Sequence, residues 1–171
     1  MAETVSQFED IPGSYPSGGS DTDDALWQRI EAHCAQRWTP RQVVWIVDGP
    51  GLWKPPLGPA TITQTEIWRH GAYEVKAPEL SPFGGFNLHH HGPYRITATV
   101  GDNNPAPMIV LEAFERLKAY ANADHGGLPG VSSYSVNTGQ ISESYRRNPA
   151  FMARALEMSG AADLLRGYRR A

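Results

Sequence analysis

Tyr94-Arg95-Ile96-Thr97-Ala98-Thr99-Val100 and Pro107-Met108-Ile109-Val110-Leu111-Glu112-Ala113-Phe114 decide the fold class of this 171-residue chain. In the first stretch Tyr94, Ile96, Ala98 and Val100 alternate with Arg95, Thr97 and Thr99, the pattern of a half-buried strand. In the second, Pro107 suits a first helical turn, and Val110, Phe114, Leu117 and Ala121 share one face. Met108 and Leu111 lie beside that stripe. A helix is predicted over 107–123, stopped by Gly126-Gly127 and Pro129-Gly130. A chain that changes hydrophobic period across one short loop reads as α+β.

Working back from the strand, residues 41–101 read as a β-rich insertion. It holds β-branched runs at Gln42–Val47, Thr61–Arg69 and Ala72–Lys76, with a turn at His70-Gly71 and a Pro-rich connection at Leu52–Pro59. Before it, a helix is predicted over 22–39. Asp21, Asp23 and Asp24 suit its N-terminus. Trp27, Ile30, Cys34 and Trp38 form one stripe, and Pro40 ends it. Residues 1–21 are rich in Gly, Pro and Ser and read as an extended or disordered arm. Working forward, a hairpin is expected over 131–145 around Asn137-Thr138-Gly139. A helix follows over 149–159, with Phe151, Ala155 and Met158 on one side. Residues 161–171 read as a C-terminal tail. The predicted architecture is α+β: a small helical bundle with an antiparallel β-rich insertion and extended N- and C-terminal arms.

Composition removes several function classes. There is one cysteine, so neither an intramolecular disulfide framework nor a cysteine zinc site can form. No apolar run approaches a membrane span, and the first residues lack a secretory signal pattern. A net charge of −3 argues against a general nucleic-acid binder. The charge is split along the chain. Residues 1–24 carry six acids and no base, whereas residues 141–171 carry six arginines against three acids. The 17 glycines and 14 prolines imply many turns.

Catalytic signatures are scarce. His89-His90-His91 offers imidazoles, but adjacent strand residues point to opposite faces and do not converge on one ion. No Gly-x-Ser-x-Gly elbow or phosphate-binding loop is present. Cys34 lies on the apolar stripe and reads as core. Glu112 and Arg116 form a solvated i,i+4 pair. The Tyr168-Arg169-Arg170 end suits docking against a protein partner, since Tyr and Arg are favoured in binding hot spots.

These residues carry a resemblance. The chain resembles the head–tail connector (adaptor) proteins of long-tailed phages and gene transfer agents, over roughly residues 24–171. The shared features, in order, begin with a helix close to Ile30–Trp38, Pro55-Pro56-Leu57 in a β-rich segment, and Arg95–Gly101. The Pro-opened helix from Pro107, Val131-Ser132-Ser133, Gly139–Tyr145 and the closing Leu164–Arg170 follow. Residues 1–20 depart from the family, many of whose members begin with an apolar-striped helix. The insertion with His89–His91 is not general to it either.

The resemblance implies a virion protein of the capsid–tail neck, present in the host cytoplasm during assembly. It implies a ring, dodecameric in the family, beneath the portal vertex. The portal protein and a stopper or neck protein are its expected partners, and double-stranded DNA passes through its lumen without sequence-specific contacts. It implies portal binding by Leu164, Leu165, Tyr168, Arg169 and Arg170, with no catalysis, metal or cofactor. Two alternatives stand beside this reading: a stopper or head-completion protein, and a small His-dependent metalloenzyme.

Overall fold

The computed structural model describes residues 1–16, 21–102, 104–122, 131–135, 144–147 and 154–169, the side chains of 131–147 excepted. Among the described residues eight strands run in chain order: β1 (Glu3–Glu9), β2 (Arg41–Trp53), β3 (Ala60–Arg69), β4 (Ala72–Val75), β5 (Glu79–Leu80), β6 (Phe86–Val100), β7 (Val131–Ser135) and β8 (Ser144–Arg147). The helices are α1 (Asp21–His33), α2 (Met108–Asn122) and two single turns, α3 (Ala155–Met158) and α4 (Ala161–Leu164). A 3₁₀ turn, Arg166–Tyr168, follows them. The α+β class is as the sequence implies.

The first six strands form one antiparallel sheet in the order β1-β2-β6-β3-β4, with β5 also on β6. β7 pairs separately with β8. The strand Tyr94–Val100 sits at the sheet centre, between β2 and β3. Its alternation is explained there: Tyr94, Ile96, Ala98 and Val100 are buried on one face with Val43, Trp45 and Val47 of β2. β3 and β4 are joined by His70-Gly71, both with positive φ (51° and 82°). That is the type I′ geometry that matches strand twist. Register shifts at Gly49/Gly51 interrupt the long β2–β6 ladder. At the ladder's other end Gly101 has φ 82°, and a Cβ there would lie 2.6 Å from the Thr39 carbonyl oxygen. Only glycine lets the chain leave β6 so close to Thr39.

A second core belongs to the helices. Leu26, Trp27, Ile30 and Cys34 meet Val110, Ala113, Phe114 and Leu117 of α2. Trp27 stacks on Phe114 with centroids 4.9 Å apart and planes 14° apart. Lys118 Nζ reaches Asp23 Oδ2 at 3.0 Å and ties the two helices at their polar edge. Ala155, Ala161 and Leu165 close this core from the C-terminal side.

Three expectations change. Residues 1–21 are not wholly an arm: β1 is paired along Glu3–Glu9 with Val43–Asp48. The first helix, expected over 22–39, ends at His33. Arg37 folds back and donates from Nη1 to the carbonyls of Glu31 (2.8 Å), Cys34 (3.2 Å) and Gln36 (3.2 Å). It thereby satisfies acceptors that a helix end leaves open. Trp38 still reaches the helical core, edge-on to Trp27 at 6.1 Å, but from outside the helix. The third helix, expected over 149–159, is a single turn at 155–158 within the described residues. Its expected start, and the expected hairpin turn at 137–139, lie outside the described residues.

Candidate assembly surfaces

Two parts of the molecule meet at residues 31–41. Arg41 makes a bidentate pair with Glu31, Nη1 to Oε2 at 2.7 Å and Nη2 to Oε1 at 2.8 Å. Arg37 makes a second with Glu9, through Nε to Oε1 at 2.5 Å and Nη2 to Oε2 at 3.0 Å. Arg41 also reaches Glu9 at 3.3 Å. Two cations and two anions from β1, α1, β2 and the α1–β2 connection are thus gathered in one charge-balanced cluster, with Glu9 its least buried member. The Arg41 guanidinium lies 5.7 Å from the Tyr15 ring centroid. Burial, then the Glu31 charge, pushes the Tyr15 hydroxyl above its usual pKa. The cluster ties β1, α1 and the start of β2 to one another through charge-assisted hydrogen bonds.

The residues expected to dock on a partner are divided by the structure. Leu165 is fully buried in the helical core. Leu164 and Tyr168 are half-buried and pack against the same core. The Tyr168 ring meets Trp38 edge-on at 5.9 Å, and its carbonyl accepts from the Ala35 amide at 2.8 Å. Arg169 is exposed and forms a β-bridge with Cys34. Arg170 lies outside the described residues. The expected C-terminal tail is therefore folded back onto the rest of the chain through residue 169, because the helical core is incomplete without Leu165. His33 shares this corner. Its Nε2 is buried without a hydrogen-bond partner. Burial, then the nearby Arg169 charge, lowers its pKa below the usual histidine value.

The second face of the sheet is open. Cross-strand rows place Ser6, Ile46, Arg95, Glu66 and Val75 side by side, with Phe8, Val44, Thr97 and Gln64 in the next row. Arg95 pairs with Glu66 at 2.6 and 2.9 Å and stacks on Tyr73 at 4.0 Å. The Arg95 hydrogen bonds hold the Glu66 carboxyl below the usual carboxylate range. Large apolar side chains stand free at Val5, Phe8, Val75, Leu80 and Phe83. Sequence reasoning missed these, although the run Val5–Phe8 amid polar residues was a visible signal.

The histidine run lies on β6. His89 Nε2 bonds to Glu79 Oε2 at 2.5 Å, whereas the His90 amide donates to the Tyr94 hydroxyl at 2.9 Å. Among the described residues no group of three or more His, Cys, Asp or Glu is placed to hold a metal ion. Nor is any described helix long and apolar enough to cross a membrane.

The same arrangement of elements occurs in solved particles. The chain shares its fold with proteins of a gene transfer agent. One match is a chain from the neck of a native gene transfer agent particle computed with C12 symmetry, at 15% identity and TM-score 0.51. It covers 93% of this chain and 94% of the other. A second is a chain of the native gene transfer agent virion, at 16% identity and TM-score 0.51, covering 92% and 94%. No protein-family model and no curated protein matches the sequence.

Proposed function

We propose that this chain is a structural protein of a virion neck, a head-to-tail adaptor whose copies form a ring between portal and tail. The observation that carries this reading is the end-to-end fold match to a chain from a gene transfer agent neck computed with C12 symmetry. The ordered sequence resemblance points the same way. A neck subunit needs a rigid body with several contact surfaces and no reaction chemistry. The Arg-Glu cluster that ties β1, α1 and β2 together and the apolar residues left exposed outside both cores suit that need.

In this reading the C-terminal corner meets the portal. Arg169 and Arg170 supply the outer contacts, Leu164 and Tyr168 present their uncovered edges, and Leu165 anchors the segment to its own subunit. DNA passes through the lumen without sequence-specific contact. A six-stranded sheet is also the observation that favours the second reading, a stopper ring one position further from the capsid. The helix pair α1–α2 favours the adaptor.

The test is assembly with the portal protein of the same particle, viewed by negative-stain microscopy. The adaptor reading expects a ring on the portal's tail-side end, lost on Arg169→Ala/Arg170→Ala while the subunit stays folded. Rings that ignore the portal but stack on a portal–adaptor complex would transfer the protein to the stopper position. A monomer that joins neither would overturn the neck reading.

A further inference from the structure

We propose that the open face of the large sheet in one copy receives the exposed start of α2 from the next copy, so that two different surfaces of one chain meet around the ring. The proposal rests on the ring reading above and names the contact that would close the ring.

The alternation that buries Tyr94 and Ile96 turns Arg95 and Thr97 to the other face, and their cross-strand neighbours follow. Ile46 and Glu66 stand beside Arg95, and Phe8 and Val44 lie in line with Thr97. On this face Phe8, Val75 and Trp68 are 64%, 75% and 44% exposed. Part of it is already rigid. Trp68 meets Tyr73 edge-on at 5.0 Å, the Arg95 guanidinium lies 4.0 Å over Tyr73, and Glu66 holds Arg95 with two hydrogen bonds. Trp, Tyr and Arg are the residues that anchor interfaces, and side chains fixed in advance lose little freedom on binding.

Charge limits the occupant. The charged side chains of this face are Glu3, Asp48, Glu66 and Arg95, with Asp10 at the end of β1. Arg69, Glu74 and Lys76 fall on the opposite parity. Arg95 is engaged by Glu66, whereas Glu3 stands directly across from Asp48 and both are exposed. Like charges so placed repel. The same face of a second copy would add to that repulsion. The occupant is therefore a different surface, apolar and without an acid at its point of contact.

The start of α2 has that character. Met108 and Ile109 are 81% and 45% exposed, next to exposed Pro105 and Pro107. No charged residue lies between Asp102 and Glu112. Asp102 is engaged by Asn104, and Glu112 by Arg116. Val110 and Leu111 both donate to the Pro107 carbonyl, so the Met108 and Ile109 amides precede the helical ladder. They lie at the positive end of a helix whose first turn holds no acid. With Met108 and Ile109 on Phe8, Val44 and Ile46, that end comes near Glu3 and Asp48. Leu80 and Phe83 are exposed as well, but they belong to the sheet's own margin at β5 and the turn after it. A head-to-tail contact needs a second surface elsewhere on the chain, and the helical body supplies it.

Cysteine pairs test it in the full-length protein. Cys34 is fully buried, so added surface cysteines are the reactive ones. Ser6 shares the open face beside Ile46. Ser6→Cys and Met108→Cys variants are mixed, alone and with the portal protein of the same particle. They are treated with a short bis-maleimide and run on a denaturing gel, with mass photometry reporting ring formation. The expected result is a mixed dimer from the two single variants and a ladder from the double variant. In parallel, Met108→Glu/Ile109→Glu should cut ring yield about tenfold with unchanged thermal unfolding of the subunit. Adding Glu3→Lys/Asp48→Lys to the same chain should restore it. Ser6→Cys linking to itself, or charge reversal without rescue, would overturn the contact. Rings without the Ser6–Met108 link would overturn the contact and leave the ring reading standing. A monomer under every condition, with no link, would sink both.

Discussion

The Arg41 guanidinium grips the Glu31 carboxylate with two parallel hydrogen bonds of 2.7 and 2.8 Å, and both side chains are almost wholly withdrawn from water. Removing one member of such a pair strands a buried charge, which costs about 3–5 kcal/mol, whereas replacing both by apolar groups is often neutral. Glu31→Leu should therefore lower unfolding free energy by about that amount, and Glu31→Leu/Arg41→Met should recover most of it. Urea unfolding of the four proteins in the cycle checks this. A single-variant loss below about 1 kcal/mol, the range of exposed pairs, would show the pair to be solvated.

The N-terminal strand carries acceptors for two buried tryptophans. Trp53 Nε1 donates to Thr4 Oγ1 at 2.9 Å, and Trp45 Nε1 donates to Gln7 Oε1 at 3.0 Å. A buried donor left without a partner costs about 1–3 kcal/mol. Thr4→Val should lose about that much, and deleting residues 1–9 should lose more, since it also removes the carboxylate that balances the buried Arg37 charge. Tryptophan emission during thermal unfolding reports it. A deletion variant as stable as the parent would return these residues to the status of an arm.

Acid should loosen the corner where His33 meets Arg169. The folded pKa of His33 lies below its ordinary value, so the unfolded chain binds the proton first as pH falls. Its contribution to stability is complete above about pH 6.5, the ordinary histidine value, and is lost as pH drops from there to the folded pKa. His33→Gln should flatten that part of the stability–pH curve and leave the neutral region nearly unchanged. Parallel curves for the two proteins between pH 7 and 5 would refute the assignment.

How much of this was readable from the sequence depended on where each signal was written. β6 and α2 were legible because their partners lie on both sides of a regular period. β1 was not, because its pattern is inverted. Its inward side chains are Thr4 and Gln7, which serve indole N–H groups, while Val5 and Phe8 face out. Hydrophobicity alone assigns such a strand to solvent. The end of α1 was hidden for a different reason. Trp38 continues the helical stripe in register, yet residues 34–37 are held by Gly58 and the 168–169 segment. Of the five expected docking residues, Leu164 and Leu165 are equivalent on paper. Only the packing of two four-residue helices shows that Leu165 turns inward.

The helical core draws on Tyr15 and α1 from early in the chain and on Ala155, Ala161 and Leu165 from late in it. Among the described residues, the core of the large sheet draws on none later than Val100. During synthesis the sheet can close while the apolar faces of α1 and α2 still wait for their last wall. On the adaptor reading proposed above, the corner offered to the portal is therefore finished last: it takes shape only once Leu165 has joined the growing chain.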